Sequence, residues 1–149
     1  MNLSDFVKNI QVTVSDLEHT GEVGYANGIS AIIGKALENL DVYKRPIHCS
    51  NLKHETLYIK DDDKWEKESK EREKLIGAIK EVGNKNIQQI GQWQKENPKY
   101  TDYESNTNDK YMHIVSNSSE TDEINTNYKK IVNNIAKQTT IDKTLSINL

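Results

Sequence analysis

The sequence predicts an α+β fold that is mostly α, with about five helices around a small antiparallel β element at residues 47–66. Three observations predict it. Apolar residues recur at intervals of three and four over most of the chain, as on one face of a helix. Lys44 to Trp65, KRPIHCSNLKHETLYIKDDDKW, breaks that period: it carries a proline at 46 and alternates through Leu57 and Ile59. Apolar residues make up only 34% of the 149, against about 45–50% in ordinary globular chains. That share points to a modest core supplemented by self-association or a partner surface.

Taken in order, Leu3, Phe6, Ile10, Val14 and Leu17 fall on one helical face. Ile10, Val12 and Val14 also alternate, so a short strand competes there, and helix is preferred. Gly21, after His19-Thr20, is expected to end that element. From Gly24 to Leu40 the stripe Tyr25, Ile29, Ile32, Ile33, Ala36, Leu37 and Leu40 predicts a second helix. Gly24, Gly28 and Gly34 cost this helix up to about 1 kcal/mol each, which close packing of another backbone explains. Read instead as a phosphate loop, GEVGYANG lacks the GK[ST] ending and a preceding strand. Pro46 then forces Arg45 to be extended. Ile47-His48-Cys49 reads as a strand, and Glu55 to Lys60 as a second one with Leu57 and Ile59 on its inner face. Asp61-Asp62-Asp63 is a turn, and Lys64-Trp65-Glu66 either returns as a strand or opens the next helix. Such a small β element is marginal alone and must pack on the helices.

Glu66 to Lys74 alternates in charge, as a solvated face or helix start does. Leu75, Ile79, Val82, Asn86, Ile90 and Trp93 predict one helix that stops at Asn97-Pro98. Tyr100 to Asn108 has turn composition. Tyr111, Met112 and Val115 mark a short helix ending near Asn117-Ser118-Ser119, and Ile124, Tyr128, Ile131 and Ile135 mark a last one with Thr121 as its N-cap. A single helical domain with its central β element is thus expected over 1–138, and a flexible tail over 139–149.

The acid–base balance narrows the function classes. The net charge of −3 gives no chain-wide basic field for non-specific nucleic-acid binding. A lone cysteine excludes an internal disulfide framework and fits a reducing, intracellular setting. No apolar run approaches the roughly 18 residues of a membrane span, and MNLSDFVKN lacks the order of a signal peptide.

Three constellations invite chemistry and fail on spacing. His48, Cys49 and His54 are zinc-ligand types, but structural zinc wants four convergent ligands, and strand neighbours such as His48 and Cys49 point to opposite faces. A nucleophilic Cys49–His pair meets the same objection, and a buried thiol behaves as a small hydrophobe. Counting from Asp61 as an EF-hand loop, the fifth, sixth and twelfth places are Trp65, Glu66 and Arg72, where an oxygen ligand, a glycine and a glutamate are required. No catalytic residue, metal or cofactor is therefore assigned.

Binding surfaces fare better. Tyr43, Tyr58, Trp65, Trp93, Tyr100, Tyr103 and Tyr111 exceed what the sparse aliphatic stock can cover, and Tyr, Trp and Arg dominate interface energetics. Trp93, on its helix stripe, belongs to the core. Arg45, Lys53, Tyr58, Lys60 and Trp65 form the expected contact edge for a protein partner or a second copy. The basic residues Lys44, Arg45, Lys53 and Lys60 offer the competing reading, a nucleic-acid-binding β-hairpin edge with an adjacent helix.

GEVGYANGIS, the central stretch, KLIGAIKEVGNKNIQQIGQW and KKIVNNIAKQTTID together resemble a domain of uncharacterised proteins from nucleocytoplasmic large DNA viruses, the mimivirus-like giant viruses. In that family the domain is C-terminal, often after a coiled coil and sometimes a zinc-finger-like segment. A chain without that region fits a stand-alone copy or an excised domain alike. Where the family motif reads His-Cys-Thr-Asp and Lys-Arg-Glu, this chain has His48-Cys49-Ser50-Asn51 and Lys53-His54-Glu55, which weakens a charge-based role for Asn51 and His54. The resemblance implies a non-enzymatic viral interaction or assembly module, in the cytoplasm or virus factory of an infected cell or in the virion.

Overall fold

The structure is a computed structural model that describes residues 1–119 and 124–141, and its fold is α+β and mostly α. The described residues form seven α-helices and one three-stranded antiparallel sheet, order β1-β2-β3. The helices outnumber the expected five because two of the predicted ones are each divided.

The first divides into α1 (Leu3–Asn9) and α2 (Val14–Val23). Thr13 makes the division. Its hydroxyl accepts from the Asp16 N–H at 3.1 Å, and the Asp16 carboxylate accepts from the Thr13 N–H at 2.8 Å. This reciprocal capping box starts a new helix. Gly21 does not end it; buried, it lies against Ile114. The end comes at Gly24, whose φ of +91° and ψ of 167° are open essentially only to glycine. Nothing lies within 4 Å of where a Cβ would stand there, so backbone strain alone opposes a side chain. Gly24→Ala is expected to lower the unfolding free energy by about 1–3 kcal/mol, with an unchanged denaturant slope.

α3 (Tyr25–Glu38) buries Tyr25, Ile29, Ile32, Ile33 and Leu37 of the predicted stripe, while Ala36 is half-buried and Leu40 falls just past the helix end. The close approach expected at its glycines occurs at Gly28, where an added Cβ would come within 2.8 Å of the Thr20 Cα. The α2 and α3 backbones are therefore nearly in contact.

Arg45 is extended ahead of Pro46, with φ −68° and ψ 139°. β1 (Ile47–Asn51) pairs with β2 (Thr56–Asp61), which pairs with β3 (Lys64–Lys67). Asp62 and Asp63 have φ of +48° and +61°. Two such residues between paired strands make the primed turn that matches strand twist, and this places Trp65 on a strand. The acidic turn also clamps the start of α1: the Asp61 carboxylate accepts from the Ser4 hydroxyl at 3.1 Å, and the Asp63 N–H donates to the Asn2 side-chain oxygen at 2.9 Å.

The predicted helix through Trp93 is divided into α4 (Glu73–Ile87) and α5 (Ile90–Glu96) by a tightened turn in which the Gln89 N–H donates to the Asn86 carbonyl. Its apolar stripe consequently serves two cores. Leu75, Ile79 and Val82 join the main core of α1, α3 and the inner sheet face. Trp93 joins a second one with Leu17 of α2 and Ile114.

α6 (Asn106–Ser118) is the helix marked by Tyr111, Met112 and Val115, and it ends where expected. Met112 and Val115 are exposed, while Asn108, Ile114 and Ser118 are buried. In α7 (Ile124–Thr139), Tyr128, Ile131 and Ile135 are buried as expected, and the proposed cap Thr121 lies outside the described residues. Packing continues beyond the expected boundary at 138: Thr140 bridges to Cys49, the Ile141 N–H donates to the Cys49 carbonyl at 3.0 Å, and Ile141 is buried. The remainder of the expected tail, 142–149, is outside the described residues.

Candidate interaction face on the sheet

Strand alternation gives the sheet two unlike faces. Ile47, Cys49, Leu57 and Ile59 are buried in the main core. His48, Tyr58, Lys60, Trp65 and Lys67 take the other side. The register sets Tyr58 between His48 and Lys67, and Lys60 opposite Trp65. The indole reaches across β2 to His48, with ring centroids 4.8 Å apart and planes tilted by 35°. Tyr58, Lys60 and Trp65 are half-buried and Lys67 is exposed. The face thus offers three aromatic rings and two ammonium groups.

His48 is buried and its Nδ1 has no hydrogen-bond partner. Burial, and secondarily the nearby Arg45 charge, holds its pKa below the usual value of 6.5. An uncharged imidazole at neutral pH leaves the centre of the face apolar. The unfolded chain takes up a proton near the ordinary histidine pKa, whereas the folded chain resists it. This contribution to stability is complete above about pH 6.5 and is lost as pH falls through the lowered folded value. His48→Gln is therefore expected to flatten the fall in urea midpoint between about pH 7 and pH 5. An unchanged slope would place the titration elsewhere.

Of the residues expected at the contact edge, Tyr58, Lys60 and Trp65 are brought together and two are not. The Arg45 guanidinium is committed to the fold: Nε donates to the Leu37 carbonyl at 3.0 Å and Nη1 to the Gln138 carbonyl at 3.5 Å. It ties the C-terminal ends of α3 and α7 together. Lys53 lies exposed with His54 in the turn between β1 and β2, at the far end of the hairpin from Asp62-Asp63. His48 and Cys49 face opposite sides of the sheet, so the three candidate metal ligands do not converge. Among the described residues, no group of three His, Cys, Asp or Glu side chains is placed to hold a metal ion.

His48 and Lys67 were absent from the expected contact set. The signal for both was alternation: His48 opposes Cys49 in facing, and Lys67 follows Trp65 by two residues. Among the described residues, no helix is long and apolar enough to cross a membrane. Comparison with models of known families, with curated proteins and with solved structures finds no match for this chain.

Proposed function

We propose that this chain is a non-enzymatic interaction or assembly module that self-associates through its sheet, with tethering of a different protein as the variant of the same role. The observation that carries this reading is the His48–Trp65 aromatic pair, set among Tyr58, Lys60 and Lys67 on the side of the sheet away from the core. Half-buried aromatic rings around a neutral histidine are what an interface can desolvate cheaply. The low apolar share of 34% supports the same reading, because part of the apolar surface then finds cover between molecules. The resemblance to a giant-virus domain that follows coiled coils supports an assembly role in the cytoplasm or virus factory of an infected cell, or in the virion. Light scattering over a range of concentrations tests it. The mass should rise with concentration for the native chain and stay that of the monomer for Trp65→Ser. A native chain that is monomeric throughout would sink self-association.

One observation favours nucleic acid as the second reading: Lys60 and Lys67 share a face with Tyr58 and Trp65, a pairing of charge and stacking rings that suits single strands. Against it, Arg45 is spent on carbonyls, Lys53 is remote, and Asp61, Asp62, Asp63 and Glu66 flank the face. The same scattering measurement with DNA or RNA at two salt concentrations separates the two, since phosphate contacts weaken steeply with salt.

A further inference from the structure

The two edges of the sheet differ. The β1 edge is partly covered by Thr140 and Ile141, whereas β3 pairs on one side only. The direction of its backbone groups follows from two bonds. The Glu68 N–H donates to the Leu57 carbonyl at 2.7 Å, and the Lys60 N–H donates to the Pro46 carbonyl at 2.8 Å. Alternation then turns the backbone groups of Lys64 and Glu66 towards β2, and those of Trp65 and Lys67 towards the open edge. Among the described residues, no further hydrogen bond occupies these outward groups.

We infer that a second copy of this chain occupies that edge, β3 against β3 in antiparallel pairing centred on Trp65. This rests on the self-association proposed above and specifies its geometry. In an antiparallel ladder, opposed residues must turn their backbone groups the same way, so the two-fold centre falls on a residue and not between two. Four centres are available within the strand. Centring on Lys64 opposes Lys64 to itself and Glu66 to Asp62. On Glu66 it opposes the two Glu66 carboxylates at a closely spaced pair. On Lys67 it opposes the two Lys67 side chains and sets Glu66 against Glu68. Like charges directly opposite destabilise a sheet.

Each of those three centres sets a charged residue against its own copy; centring on Trp65 sets none, and within Lys64–Lys67 it opposes no like charges, leaving only Asp62 against Glu68 beyond the strand ends. The two Trp65 residues exchange both backbone hydrogen bonds, and each indole stays over its own β2 against His48, so the two aromatic faces join into one surface. Lys64 of each copy stands opposite Glu66 of the other, twice by symmetry, in the closely spaced positions where side-chain pairs interact most. Among the described residues, the exposed Glu66 is engaged only by a long 3.8 Å contact to Lys74, so its carboxylate is open to a partner there. Lysine on an open strand usually deters pairing. Here the strand's own charges disfavour the three registers centred on Lys64, Glu66 and Lys67 and favour the one centred on the uncharged Trp65.

The test is a charge exchange on the full chain, read as the dimer dissociation constant by sedimentation. Lys64→Glu and Glu66→Lys should each weaken the dimer about tenfold, and the double variant should recover the native value. Lys64 also faces Asp61 within its own hairpin, but recovery in the double variant cannot come from the hairpin. Single variants that are not rescued by the double, or a dimer indifferent to all three, would overturn this pairing while leaving self-association in place. A chain that is monomeric throughout would overturn both.

Discussion

Trp93→Ala is expected to lower the unfolding free energy by about 3–5 kcal/mol, the range for emptying a buried aromatic site. Trp93 is fully buried at the centre of the smaller core, against Leu17 and Ile114. Its indole N–H donates to the Glu18 carboxylate at 2.9 Å, its ring stacks on Tyr111 at 5.9 Å, and Tyr111 in turn meets Tyr100 at 5.0 Å. One side chain therefore joins α2, α5 and α6. Trp93→Phe retains most of the volume and loses the hydrogen bond, so a smaller loss of about 1–2 kcal/mol is expected. Urea unfolding measures both. A loss for Trp93→Ala below about 1 kcal/mol would mean that this cluster collapses without cost.

The burial of Trp93 was legible from its place on an apolar stripe, but its neighbours were not. A period of 3.6 residues identifies the inward face of a helix and is silent on which core that face meets. The turn at Gln88-Gln89 diverts the end of the stripe, and both residues keep helical dihedrals there, so no breaker marks it. Thr13-Val14-Ser15-Asp16 did carry the capping-box spelling, which Ile10 and Val14 masked by continuing the apolar period. On α6 the apolar residues that marked the helix are not the ones it buries, because the tight contact with Gly21 turns Ile114 inward and Met112 lies exposed.

The sheet was more legible than the helices. Alternation alone put Leu57 and Ile59 inside and separated His48 from Cys49. Which charges were free to meet a partner was hidden. Arg45 counts as a surface cation in the sequence, yet one of its bonds reaches a carbonyl 93 residues away. Only tertiary structure reveals that commitment.

Lys85 is the second such case, and it carries the other large expected effect. Its ammonium donates to the carbonyls of Val7 at 2.6 Å, Lys8 at 3.0 Å and Ile10 at 2.8 Å. Carbonyls at and just past a helix end lack intrahelical partners, and a cation there also meets the negative end of the helix dipole. α1 has only seven residues, too few to hold itself together in water. Lys85→Met keeps the aliphatic stem and removes all three donors, with an expected loss of about 2–3 kcal/mol. Lys85→Arg should recover part of it. The loss should be localised: hydrogen exchange at Phe6 and Val7 is expected to accelerate more than exchange in α3. Uniform acceleration would mean that α1 opens only with the whole fold. Because Asn2 and Ser4 fasten the start of α1 to Asp63 and Asp61, releasing the far end of this helix also loosens the hairpin that presents Trp65. Self-association should then weaken in Lys85→Met even at concentrations of denaturant where the chain is still folded.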